Sequence, residues 1–120
     1  MARESNTIIA IIQQYIADVK NAMPIDKVYL YGSYAKGTQR ENSDVDICFF
    51  SYAFESRRTL DILTELFYLK TKYDKDIIIE PNAFPVSELY SDNPFVKEIL
   101  RTGQEITLES VDIRPSLPTG

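Results

Sequence analysis

Residues 32–47 read GSYAKGTQRENSDVDI. They follow KVYLY (27–31), a β-rich alternating run that reads as a strand, and lead into DVDICFF (44–50), which reads as a second. Two acids at the start of that apolar run are uncomfortable in an ordinary strand. Asp44 and Asp46 stand at i and i+2, on one face of the strand and roughly 7 Å apart by rise. Carboxylates pointing the same way repel, and a shared cation relieves them. Hard divalent ions prefer carboxylate oxygen, and Mg²⁺ binds through one or two carboxylates plus substrate phosphates. Cys48 shares this face, while Val45 and Ile47 point the other way. Taken bare, an Asp-x-Asp is more often a solvated strand start.

Gly32-Ser33 changes that balance. A glycine directly after a strand lets backbone approach a ligand closely. Successive N–H groups in a turn form an anion-binding nest. Ser33 adds a hydroxyl, Gly37 a second permissive point and Lys36 a cation. Taken alone, Gly32-Ser33 is an ordinary turn. Followed ten residues later by a carboxylate pair, it makes a metal–nucleotide site. It is neither GxxxxGK[ST] nor GxGxxG. Asp76 is a third candidate acid, opening a third predicted strand, DIIIE (76–80), as Asp44 opens the second. If the two strands are neighbours, the three acids converge at one sheet end. Glu80 shares the Asp76 face, farther along. For Asp76 alone a solvated turn serves equally well.

On either side the pattern is helical. Ile8, Ile12, Tyr15, Ile16, Val19 and Met23 share one face of a helix over 5–23, with Ser5 or Asn6 as cap and Pro24 as stop. A second helix covers 55–72, with Leu60, Leu63 and Phe67 beside Ile62, Leu66 and Leu69. Pro81 and Asn82 close the third strand. Asn93-Pro94 starts a helix over 94–102, with Gly103 just past its end. EITL (105–108) suggests a short edge strand. Phe84, Tyr90 and Phe95 lie in or beside the loop after the third strand, where core packing is the commoner role. The order α-β-β-α-β-α points to an α/β or α+β domain with a small mixed sheet. One domain is expected over 1–108, with a flexible tail over 109–120.

Composition narrows the chemistry. The chain has 120 residues, 44% of them hydrophobic and 26% charged, as in ordinary globular proteins. There is no histidine, which excludes Ser–His–Asp, Cys–His and His-ligated zinc sites. The one cysteine, Cys48, excludes an internal disulfide and reads as a buried hydrophobe. A net charge of −5 argues against tight nucleic-acid binding by this chain alone. No apolar run is long enough to span a bilayer and the N-terminus is a poor signal peptide, so a cytoplasmic location is expected.

The segment GSYAKGTQRENSDVDI resembles the signature of the DNA polymerase β-type nucleotidyltransferase superfamily: Gly-Ser, ten residues, then Asp-x-Asp. The acidic third strand, the small size and the ending NPFVKEILRTGQEI resemble the minimal nucleotidyltransferase (MNT) group. The likeness covers roughly residues 5–106. It implies a polymerase β-like fold and roles for particular residues. Gly32 and Ser33 would hold the triphosphate of ATP, with Lys36 and Gly37 beside them and Ser43 in a positioning role. Asp44 and Asp46 would bind two Mg²⁺ ions, and Asp76 would complete the metal site and help activate the attacking hydroxyl. Many relatives carry Arg where Lys36 stands, so bidentate phosphate binding is lost there. Larger relatives add a domain that selects the acceptor, which a chain this short lacks. Many MNT proteins pair with a HEPN-domain toxin, act as its antitoxin and transfer AMP to one of its tyrosines, which implies a hetero-oligomer. Two other readings stay open: a module that neutralises a HEPN partner by contact alone, and a transferase acting on a small molecule.

Overall fold

The computed structural model describes residues 5–32 and 44–107. Ser33, Lys36, Gly37, Ser43, the side chains of Ser5 and Asn6 and the expected tail lie outside the described residues. The described elements are α1 (Ser5–Ala22), β1 (Lys27–Tyr31), β2 (Val45–Ser51), α2 (Thr59–Lys70), β3 (Ile79–Pro85), α3 (Pro94–Thr102) and β4 (Gln104–Ile106). They form a mixed sheet of order β3-β2-β1-β4, in which β2 and β3 are parallel and the other pairs antiparallel.

Alternation along the strands sorts the core. Val28, Val45, Ile47, Phe49, Ile79 and Ala83 face α1 and α2. The stripe expected on α1 meets them with Ile12, Tyr15, Ile16, Val19 and Met23, all buried. Tyr15 carries its hydroxyl into this core and donates it to the Leu66 carbonyl at 2.9 Å, joining α1 to α2. Cys48 and Phe50 face the other way and pack under Val96 and Ile99 of α3. Cys48 is buried as expected, and burial pushes its thiol well above the usual range.

The expected bounds of the second helix and of the third strand move. The second helix begins at Thr59, because Tyr52–Ser56 is a 3₁₀ turn capped by the Ser51 hydroxyl, which accepts from the Ala53 N–H at 3.1 Å. Of its two apolar stripes the core takes up one, and from the other only Leu63, half-buried. Ile62 and Leu66 are buried, whereas Leu60 and Phe67 remain exposed, since the two stripes are too far around the helix for one sheet face to cover both.

The third strand begins at Ile79, not at Asp76. The N–H groups of Asp76 and Ile77 both donate to the Tyr73 carbonyl, at 2.9 and 3.0 Å, so these residues close a turn. Pairing opens where the Val45 N–H reaches the Ile78 carbonyl at 2.8 Å. Pro81 lies inside this strand rather than ending it, because β3 is an edge strand and has a side that needs no donor.

The end of the fold follows the sequence closely. Asn93 caps α3, accepting from the Phe95 and Val96 N–H groups at 2.9 and 3.4 Å. Gly103 then turns the chain where a Cβ would stand 2.5 Å from the Ile99 carbonyl oxygen and 3.1 Å from that of Leu30. The edge strand that follows pairs with β1. Among the described residues no helix is long and apolar enough to cross a membrane.

Candidate active site

Asp46 is the second residue of β2, and its neighbours in the sheet are fixed by register. Tyr31, the last residue of β1, lies opposite it on one side, and Glu80 of β3 lies level with it on the other. Asp44 stands two residues upstream, just outside the strand and exposed. The three acids therefore lie at one end of the sheet, on the face that α3 only partly covers.

Gly32 closes in on this group. Its φ is +73°, in the left-handed region that favours glycine. A Cβ at this position would stand 2.3 Å from Asp46 Oδ2. Only a residue without a side chain brings backbone so close to that carboxylate. The glycine read in the sequence as permissive is thus needed for a close approach.

The Asp46 carboxyl is pushed above its ordinary range, first by burial, then by Asp44 and Glu80. Among the described residues, none of Asp44, Asp46 and Glu80 takes part in an ion pair. The group is thus an excess of negative charge at a half-buried spot, which a cation would relieve. Its donors are all hard carboxylate oxygens, which suit Mg²⁺. Among the described residues no three of them close into a cage that would grip a metal unaided. That matches the habit of Mg²⁺, which completes its shell with water and substrate phosphate.

The structure brings Asp44 and Asp46 together with Gly32. It does not set Asp76 level with them: Asp76 is exposed, in the turn three residues before Ile79. The acid delivered by the register is Glu80. Its signal was present, since an acid inside the apolar run IIIEPNAF is as uncomfortable as Asp46 inside DVDICFF. What was missing was the pairing, which slips the expected alignment of the strands by two residues.

Tyr31 borders the acids on the β1 side. Its hydroxyl accepts from Asn82 Nδ2 at 3.2 Å across Cys48, and burial pushes its pKa up to about 12, so the phenol keeps its proton.

Comparison with known proteins gives this arrangement a family. A family model described as polymerase beta nucleotidyltransferase matches residues 6–111. The chain belongs to the polymerase β nucleotidyltransferase family. Its fold is that of the polymerase β nucleotidyltransferases. A protein of Sulfolobus solfataricus assigned as a nucleotidyltransferase superposes with a TM-score of 0.58 at 17% identity, over 88% of this chain and 89% of that one. A toxin–antitoxin structure with AMP-PNP is similar at 24% identity and a TM-score of 0.52, covering 84% of this chain and 78% of that one. A mutant of the toxin–antitoxin pair MntA–HpeT gives 21% identity and a TM-score of 0.51, covering 93% and 82%. No curated protein matches the sequence.

Proposed function

We propose that this protein is a Mg²⁺-dependent nucleotidyltransferase that moves AMP from ATP to a hydroxyl, and that the acceptor is a tyrosine of a HEPN-domain toxin for which it is the antitoxin. The observation that carries the transferase reading is the register that sets Asp46 level with Glu80, with Gly32 closed against the Asp46 carboxylate. The toxin reading is supported by the likeness of fold to toxin–antitoxin structures.

The division of work follows from position. Asp44, Asp46 and Glu80 would hold the metal, which when bound supplies positive charge to the phosphate oxygens of the transition state. Gly32, with Ser33 after it, receives the triphosphate against β1. Glu80, on the far side of Asp46, accepts the proton of the attacking hydroxyl on a carboxylate oxygen. The acceptor oxygen then bonds to the α-phosphorus, the bond from that phosphorus to the bridging oxygen breaks, and pyrophosphate leaves. Asp76 is at most an accessory to these three.

The test is the intact mass of a neighbouring HEPN-type protein after incubation with this chain, ATP and Mg²⁺. The expected result is a gain of one or more AMP units that is absent with Asp44→Ala. A tight complex with no mass gain and lost partner activity would replace this reading with contact inhibition. Transfer to a small alcohol or amine by the isolated chain would move the acceptor out of the toxin.

A further inference from the structure

The face that carries the acids also carries four aromatic rings in contact. Phe50 stacks on Phe84 with centroids 6.0 Å apart, Phe84 meets Phe95 at 5.9 Å, and Phe95 stands edge to face with Tyr31 at 5.7 Å. Phe50 is fully buried and Phe84 and Tyr31 are partly so, but Phe95 is 42% exposed. The series thus rises from the core beneath α3 to an open ring in contact with Tyr31, the residue paired with Asp46. Asn93 holds it there, since its side chain accepts the Phe95 N–H and fixes the first turn of α3.

We propose that the exposed ring of Phe95, seated on Tyr31 and Phe84, is the stacking surface for the base of the bound nucleotide. The inference rests on the nucleotidyltransferase reading and adds the subsite for the nucleoside. Asp46 divides the face: Tyr31 and Gly32 lie on its β1 side, Glu80 on its β3 side. The phosphate-receiving turn follows Tyr31 directly, so a nucleotide anchored there carries its nucleoside along the flank that Tyr31 and Phe95 border. The acceptor hydroxyl, which gives its proton to Glu80, enters on the opposite flank. A flat apolar ring takes the π-face of any base. Asn82 of β3 reaches across β2 to donate to the Tyr31 hydroxyl and so orients that ring.

The experiment compares Mg²⁺-dependent binding of ATP and of inorganic tripolyphosphate by calorimetry. Wild-type protein should bind ATP more tightly than tripolyphosphate. Phe95→Ala should weaken ATP roughly 5- to 100-fold and leave tripolyphosphate unchanged. Phe95→Tyr, which keeps a ring, should restore ATP binding. If Phe95→Ala proves poorly folded by thermal melt, Phe95→Leu keeps the apolar contact without the ring and should show the same selective loss. Unchanged ATP affinity, or equal loss of both ligands in a folded variant, overturns the proposal while leaving the transferase reading intact. So does a variant whose only defect is a raised KM for the acceptor, which would assign the ring to the acceptor instead. Failure of the wild-type protein to bind either ligand removes the nucleotide reading itself.

Discussion

Gly32 and Asp46 are joined by a distance that leaves no room for a methyl group. Gly32→Ala places a Cβ 2.3 Å from Asp46 Oδ2 at a φ of +73°. The left-handed backbone alone costs about 1–2 kcal/mol in a residue with a side chain. The carboxylate must also swing away from the metal position. Urea denaturation should show at least that loss, and Mg²⁺–ATP affinity should fall roughly tenfold or more, the equivalent of about 1.4 kcal/mol. Asp46 itself carries the opposite tension. Its pKa is raised in the folded state by burial, Asp44 and Glu80. A raised carboxyl favours the fold while protonated, below the usual carboxylate range, and that advantage is lost as pH rises through the raised value. In metal-free buffer Asp46→Asn should therefore be more stable than wild type at pH 7. The gap should close in acid, as pH falls through that raised value and the wild-type carboxyl protonates. Chemical denaturation in EDTA at pH 7 and in acid reads this directly. A variant less stable at pH 7 would mean that the cluster is already satisfied without a metal.

At the scale of elements, the third strand decides which acid takes part. Its apolar run was legible in IIIE, and so was an acid beside the Asp-x-Asp pair. Its start was not, because the turn over 73–77 is held by two N–H groups sharing the Tyr73 carbonyl. Propensity gives no warning of such a shared acceptor. Asp18, which accepts from the Tyr73 hydroxyl and pairs with Lys72 at 2.9 Å, ties that turn to α1 through contacts distant in sequence. By contrast α3 was legible to the residue, since its start and stop are local chemistry in Asn93, Pro94 and Gly103. The same locality made Gly32, Asp44 and Asp46 readable as a site, whereas Glu80 needed the parallel register with β2. Two kinetic comparisons follow. Glu80→Gln should lower kcat roughly 10²- to 10⁴-fold, as expected for loss of a general base. Asp76→Asn should cost far less under the same assay, and the reverse order would return the third carboxylate to Asp76. Asn93→Ala should cost about 1 kcal/mol in thermal or urea unfolding, the usual worth of an N-cap.

Taken whole, the molecule is unevenly covered. Two helices close one face of the sheet, and the shorter α3 closes part of the other. Among the described residues, the end left uncovered is the one where β1 delivers Gly32 and the two parallel strands deliver Asp44, Asp46 and Glu80. A metal and a nucleotide bound there would be linked to global unfolding, because the register that assembles the acids exists only in the folded sheet. Binding to the native state alone stabilises by RT ln(1 + [L]/Kd), about 2.7 kcal/mol at a hundredfold excess over Kd. The described carboxylates do not form a closed cage, so Mg²⁺ alone should bind weakly. ATP alone meets three acids that form no ion pair among the described residues and should bind weakly as well. Together each completes the site for the other. Thermal melts should therefore shift little with either ligand and clearly with both, and the joint shift should vanish in the Asp44→Ala, Asp46→Ala double variant. Equal shifts from Mg²⁺ with or without ATP would instead mark a metal site independent of the nucleotide, and the carboxylates would then be structural rather than catalytic.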